Sequence, residues 1–315
     1  MRRAAVLVIV VLCCSGSTVF AQWLPGVFGG CSKLGPFSLN GYVGYSEYRN
    51  GNVFSFDDYT FDTRSYNDTT RFPLKGLWLG LSAEAKLTDG IGCMISGGAL
   101  VYAHTRASSD LEPFQDFGYE LNPHGQWWGY LDATATYSVG ILGGTQLLAG
   151  LRWDHYNSKL ILTYNGFPEI DVEIHFKVNA YLPLVGAQWT QDWWDGQLKV
   201  RAVGFPWVPG EMKYDFGRLD TSDDYRYSEV SSQPFTSGYF VELLAEYRKR
   251  VAGRSYVGAF VSLNQLHAAT DKGKYNYYEN SPSSGFDEGS NQTGLIFHRT
   301  SLTVGGSFSL DFNLL

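Results

Sequence analysis

Leu77-Trp78-Leu79-Gly80-Leu81-Ser82-Ala83-Glu84-Ala85-Lys86-Leu87 is the stretch that decides the fold. Leu77, Leu79, Leu81, Ala83, Ala85 and Leu87 are apolar, and Gly80, Ser82, Glu84 and Lys86 stand between them. Successive side chains of a strand point to opposite faces, so this stretch has one apolar face and one that carries charge. Wound as a helix, the same residues would scatter Glu84 and Lys86 among leucines. The pattern predicts a strand.

The alternation recurs along the chain. Leu131, Ala133, Ala135 and Tyr137 alternate with Asp132, Thr134 and Thr136. Val172, Ile174, Phe176, Val178 and Ala180 alternate with Glu173, His175, Lys177 and Asn179. Tyr239, Val241, Leu243 and Ala245 alternate with Phe240, Glu242, Leu244 and Glu246. The last run sets Leu302, Val304, Phe308, Leu310, Phe312 and Leu314 against Thr303, Ser307, Ser309, Asp311 and Asn313. With the weaker runs, ten strands are expected near 36–48, 74–87, 92–104, 127–138, 145–156, 171–189, 197–208, 236–250, 255–269 and 299–314. Short gaps fall at 87–92, 139–144, 191–197 and 252–254, and long polar ones at 49–73, 105–126, 157–170, 209–235 and 270–298. Short turns on one side and long loops on the other describe an all-β, closed antiparallel transmembrane barrel with both termini in the periplasm. Twelve strands is the alternative, if residues 53–66, with Val53, Phe54, Phe56, Tyr59 and Phe61, cross the membrane as a hairpin. Otherwise they extend the first two strands above it.

On the clear strands the apolar face carries no charge between the strand ends. One Lys or Arg at the bilayer midplane would cost ~2–4 kcal/mol, so this absence is what contact with lipid demands. A soluble sandwich shows the same alternation with the apolar face buried. The chain ends separate the two. Arg2 and Arg3 precede an apolar run, Ala4 to Cys14, too short for a spanning helix of ~20 residues, and Val19-Phe20-Ala21 suits signal peptidase. The expected organisation is a signal peptide over 1–21, a short periplasmic segment over 22–35 and an outer-membrane barrel over 36–315. Gly306 to Leu314 resembles the C-terminal signal read by the outer-membrane assembly machinery, although the chain ends on Leu315 and not on an aromatic in register. The expected location is the bacterial outer membrane, with its lipid and lipopolysaccharide, and the assembly machinery during biogenesis, as partners.

Composition agrees with that organisation: 36 Gly, 21 Tyr, 20 Phe and 9 Trp among 315 residues, with 17% charged. Removing Arg2 and Arg3 from 24 basic residues leaves 22 against 31 acidic ones, a charge of −9, which argues against a nucleic-acid partner. Trp127, Trp128, Trp153, Trp189, Trp193, Trp194 and Trp207 fall near strand ends, where amphipathic rings favour the headgroup level. Cys13 and Cys14 leave with the signal, so Cys31 and Cys93 remain. Both fall at the periplasmic base of an oxidising compartment, where a disulfide between them is expected; two unrelated thiols are the alternative.

The inward face carries the candidate functional residues: Glu84, Lys86, Asp132, Arg152, Asp154, Glu173, His175, Lys177, Lys199, Arg201, Glu242, Glu246 and Arg248. Arg152 and Asp154 are expected beside Glu173 and His175 near the outer end. Lys199 and Arg201 are expected to meet Glu242, Glu246 and Arg248 near the periplasm. A ten-stranded barrel is only slightly wider than one that side chains fill, so these charges form a plug, or else line a narrow polar pore.

Length and strand count resemble the omptins, ten-stranded outer-membrane proteases whose sites use Asp pairs and an Asp-His pair across an extracellular cleft. The resemblance covers the architecture of the whole mature chain; the family's signature segments are not found around either pair. It implies a protease site built from such residues as Asp57-Asp58, Asp223-Asp224 and Asp154-His155. Neighbours on a strand face opposite ways, however, so Asp154 and His155 cannot both enter a cleft unless the strand bulges. His104, His124, His267 and His298 match no metal or nucleophile spacing. No catalytic, cofactor or metal residue is assigned. The loops, as in Tyr275-Asn276-Tyr277-Tyr278-Glu279, have the composition of a recognition surface. The reading is a structural or surface-interaction barrel, with a small pore and a surface protease as alternatives.

Overall fold

A computed structural model describes residues 37–61, 64–72, 75–104, 108–109, 119–140, 143–164, 170–220, 225–271, 273–281 and 285–312. The strands are β1 (Phe37–Phe61), β2 (Arg64–Phe72), β3 (Lys75–Lys86), β4 (Ile91–His104), β5 (Ser108–Ser109), β6 (Tyr119–Ser138), β7 (Thr145–Tyr164), β8 (Ile170–Trp193), β9 (Gly196–Phe205), β10 (Gly210–Asp220), β11 (Tyr225–Ala252), β12 (Ser255–Thr270), β13 (Gly273–Ser281) and β14 (Gly285–Phe312). Several are halves of one wall strand. β2 leads into β3, β4 towards β5, β9 into β10 and β12 into β13. The wall therefore has ten strands, each antiparallel to its neighbours, and β1 closes it by pairing with both β3 and β14.

The break between β9 and β10 has a chemical cause. Pro206 and Pro209 lack the N–H that a ladder needs. Gly204 lies opposite Val185 and Gly210 opposite Ala180, so this strand uses one residue more than its neighbour to cover the gap. Pro209 still serves the ladder as an acceptor, taking the N–H of Tyr181 at 2.7 Å.

Several strands are longer than the sequence pattern suggests. β8 has 24 residues, and β11 and β14 have 28 each, where a tilted strand crosses hydrocarbon in ~9–11. Much of the chain expected as loops at 49–73, 157–170, 209–235 and 270–298 continues the wall upward. Residues 53–61 and 64–66 belong to this extension, and the alternative of twelve strands does not hold. Above the membrane both faces of a strand meet water, so the period-two signal fades while backbone pairing persists.

The two faces of the wall are inverted relative to a soluble protein. Leu151 is 64% exposed on the outside, and Arg152 beside it is 1% exposed within. Val43, Leu131, Val185, Leu243, Val261 and Val304 also stand outside; Ser82, Ser96, Asp132, Glu242, Ser301 and Thr303 are buried inside.

One strand departs from the expected facing. In β8 it is Phe176, Val178 and Ala180 that are buried in the lumen, followed by Leu182 and Leu184. Lys177 is exposed on the outer wall, with His175 and Asn179 on the same face. Inside, Tyr156, Met212, Phe235, Phe240, Leu266 and Phe297 fill the upper lumen with apolar groups, so this part of β8 turns its hydrophobic side inward. The segments expected as signal peptide and periplasmic lead, Cys31 among them, lie outside the described residues. Cys93 is half-buried near the base of β4, two pairs from the end of its ladder with β6.

Candidate functional site

The barrel interior brings the predicted charges together in storeys. Going round the wall, β3 and β9 stand half a turn apart, as do β7 and β14. Lys199 on β9 reaches across to Glu84 on β3 with Nζ to Oε1 at 2.5 Å, the lower strut. Arg299 on β14 reaches across to Asp154 on β7, with Nη1 to Oδ1 at 2.7 Å and Nη2 to Oδ2 at 2.8 Å, the upper strut. The indole of Trp128 donates to the same Asp154 Oδ1 at 3.1 Å and lies 4.6 Å beneath the guanidinium.

Between the struts sits a quartet. Arg152 donates from Nε and Nη2 to the two oxygens of Asp132, at 2.5 and 2.7 Å, and from Nη1 to Glu242 at 2.7 Å. Arg201 donates to Asp132 at 3.3 Å and approaches Glu242 at 3.8 Å. Tyr130 and Phe240 sandwich the Arg152 guanidinium at 4.2 and 4.8 Å. Asn264 links quartet and upper strut, donating to Glu242 at 3.4 Å and accepting from Arg299 at 3.1 Å.

These pairs form because alternation delivers the groups to one side of a closed tube. Apart from Glu84, which stays partly exposed, these carboxylates and cations are withdrawn from water, which costs several kcal/mol per ion unless both partners and hydrogen bonds compensate. Counting Arg248 at the lower rim, Arg152, Lys199, Arg201, Arg248 and Arg299 face Glu84, Asp132, Asp154, Glu242 and Glu246, so the signs balance. Arg248 itself donates to Gln197 at 2.9 and 2.5 Å and to Ser309 at 3.3 Å. Glu246 accepts from the Tyr42 hydroxyl at 3.4 Å. Trp78 lies flat over the paired Gly80 and Gly98, where any Cβ would collide with its ring, so two missing side chains make room for a large one.

Not every expected member joins. Lys86 stands at the rim and pairs with Asp89 in the adjoining turn at 3.3 Å. His175 and Lys177 are on the outer wall, for the reason given for β8, and His175 bonds Asn157 at 2.6 Å. The side chain of Glu173 lies outside the described residues. Arg152 and Asp154 therefore do not meet Glu173 and His175: in the ladder they sit opposite Leu182 and Ala180. Arg299, Trp128 and Asn264 were missed by the sequence reading. Arg299 shares the parity of Ser301 and Thr303, which is the signal of its facing; Trp128, at a strand end where a girdle is expected, is buried inside.

The protease residues are not assembled by the described chain. Asp154 is 0% exposed and held by Arg299 and Trp128, while His155 faces outward, with Trp127 and Trp153 at 5.2 and 5.5 Å and Asn179 on its Nδ1 at 2.6 Å. The strand does not bulge there, and the wall separates acid from imidazole. The side chains of Asp57, Asp58, Asp223 and Asp224 lie outside the described residues. Among the described residues no cluster of His, Cys, Asp and Glu is suited to hold a metal.

No family model matches the chain, and no curated protein matches it in sequence. Among solved structures, the outer membrane protease OmpT from Escherichia coli superimposes with a TM-score of 0.63, covering 88% of this chain and 97% of that one, at 11% identity. This chain has the fold of a bacterial outer-membrane barrel. Looser likenesses are to the translocator domain of the autotransporter NalP from Neisseria meningitidis (TM-score 0.38, 9% identity, 92% and 95% covered) and to OprG from Pseudomonas aeruginosa (0.30, 12%, 90% and 98%). The likeness to OmpT concerns the course of the backbone, and the ten strands expected from the sequence agree with it.

Proposed function

We propose that the chain is an integral outer-membrane protein, delivered by a signal peptide cleaved after Ala21 and inserted by the assembly machinery. Its barrel is sealed across the lumen and acts as a rigid mount for an extracellular recognition surface. The observation that carries this reading is the pair of guanidinium groups, Arg152 and Arg299, whose side chains are 0% exposed while each binds a carboxylate across or along the wall. A conducting pore keeps its charged groups wet. Here they hold each other, and an apolar layer of Tyr156, Phe176, Phe235, Phe240 and Phe297 closes the lumen above them.

The outer wall supports the membrane assignment. Its apolar side chains are flanked by exposed Trp127, Trp153, Trp207 and Tyr239 towards the outer end and by Tyr137, Trp189, Trp193 and Phe312 towards the periplasm. Outer-membrane lipid, with lipopolysaccharide on the outer face, is the partner such belts fit. Strands that continue well above the upper belt present Tyr-, Asn- and Ser-rich hairpins such as β13 and the start of β14. A recognition role fits that surface, in place of transport or proteolysis.

Purified protein in planar bilayers and with unstructured peptide substrates tests this. The expected result is neither stable unitary current nor peptide cleavage. Stable conductance would refute the seal, and cleavage lost in Asp154→Ala but retained in a folded Glu84→Gln would restore the protease reading.

A further inference from the structure

Two spaces interrupt the filled lumen, and they share a partition. One is a chamber of about 50 Å³ bounded by Tyr42, Trp78, Arg201, Glu242, Phe260 and Ser301. The other is an open vestibule of about 560 Å³ at the periplasmic mouth, walled by Gln146, Gln188, Thr190, Gln197 and Arg248. Glu84 and Lys199 line both, so their ion pair is the partition between them.

The chamber is built for polar occupants. Trp78 and Arg201 are each 7% exposed, and Trp78 Nε1 and Arg201 Nε have no hydrogen-bond acceptor among the described residues. A buried N–H left unsatisfied costs ~1–3 kcal/mol. A water needs on the order of 10–15 Å³ and two to four polar partners. The space holds several, within reach of hydroxyls on Ser82, Ser96, Ser262 and Thr303.

Its two ends are closed by different chemistry. Above, Trp128, Tyr130 and Asn264 line the chamber, backed by Arg152 and Arg299, which grip carboxylates with two nitrogens each, wholly buried. Neither moves without stranding an unpaired carboxylate in a dry site. Below, Lys199 makes a single contact through a flexible four-carbon stem, and Glu84 keeps 29% of its side chain exposed. An ammonium that lets go there swings into a wet vestibule, where water solvates it.

We propose that the chamber is a binding site for water and small polar solutes, entered from the periplasm alone, with Lys199–Glu84 as its door. The proposal rests on the sealed lumen argued above. Balanced charge and the faces of Tyr42, Trp78 and Phe260 suit neutral or singly charged molecules of a few heavy atoms and disfavour multivalent ions.

Sided thiol labelling tests it. The full-length mature barrel, carrying Cys31→Ala, Cys93→Ala and Ser301→Cys, is inserted in one orientation into phospholipid vesicles. Orientation is checked by cleavage of an extracellular loop, and folding by heat-dependent gel mobility. Thr303→Cys is the second reporter if Ser301→Cys does not fold. The probe is 2-aminoethyl methanethiosulfonate, with free cysteine on the opposite side of the bilayer to scavenge reagent that crosses the lipid as the neutral amine. The protein's cysteine thiolate attacks the probe's sulfenyl sulfur and expels methanesulfinate, leaving a mixed disulfide seen by mass. The expected result is labelling from the periplasmic side only, several-fold faster when Glu84→Gln weakens the door. No labelling from that side, with or without Glu84→Gln, would overturn the chamber and leave the seal intact. Labelling from both sides would overturn the seal and the proposal together.

Discussion

Arg299 and Asp154 show what a single residue does in this lumen. Each is fully buried, and each is tolerable only because the other is present. Asp154→Ala is expected to destabilise the barrel by ~3–5 kcal/mol, because it leaves a buried guanidinium without its carboxylate. The double variant Asp154→Leu/Arg299→Met is expected to recover most of that loss. Urea unfolding of the protein refolded in vesicles measures both. In the short turn between β8 and β9, Trp194 takes a φ of 53°, the only non-glycine residue with a positive φ among those described, and is stacked on Trp193 at 5.0 Å. A left-handed conformation costs an ordinary residue ~1–2 kcal/mol, so Trp194→Gly is expected to raise stability by about 1 kcal/mol in detergent micelles, read by the same denaturation. Next to it, Lys249 and the Tyr247 hydroxyl bind Asp195 and hold its carboxyl below the usual carboxylate range. A depressed folded value means the contact contributes above the ordinary carboxylate range and is lost as pH falls through the folded value. NMR titration of the Asp195 carboxyl should therefore give a midpoint below that of an unstructured peptide.

At the scale of the element, the question is which face of a strand meets hydrocarbon. β6, β7 and β11 answer as their alternation suggests, and β8 does not. The alternation of Val172 to Ala180 is real, but periodicity shows only that two faces differ, never which one is inside. Chain parity through Tyr181, Val185 and Trp189, which are exposed outside, fixes Lys177 and His175 on the outer wall. This makes a paired prediction. Leu243→Arg, at mid-height on the outside, is expected to cost ~2–4 kcal/mol in vesicle refolding, while Lys177→Leu, above the aromatic belt, should change stability by less than about 0.5 kcal/mol. Equal effects would place the lipid boundary elsewhere. Strand length was hidden for a related reason. Arg64–Phe72 and Tyr225–Val230 pair in the wall through their backbones with little apolar periodicity in their sequence to announce it.

For the whole molecule, closure matters most. β1 meets β14 in register from Phe37–Phe312 to Arg49–Thr300, so no edge strand is left along the spanning part of the wall. A closed tube satisfies its backbone within lipid, and its width sets what the lumen can hold. The protein is expected to need detergent or lipid to stay in solution, to shift in gel mobility on heating, and to give no unitary current across a planar bilayer.

Sequence alone determined the all-β class, the strand number and the inward set around Asp132, Arg152 and Glu242, because side-chain alternation is a local property of an extended backbone. The division into short and long gaps is likewise visible without any knowledge of contacts. Only the tertiary structure decided which charges are partners: Lys199 with Glu84 and Arg299 with Asp154 join walls half a turn apart, at sequence separations of 115 and 145 residues. It also decided that the upper lumen is apolar. Both depend on which strands face each other across the tube, and that is set by closure, shear and the extra residue at Pro206–Pro209, none of which leaves a local mark on the alternation.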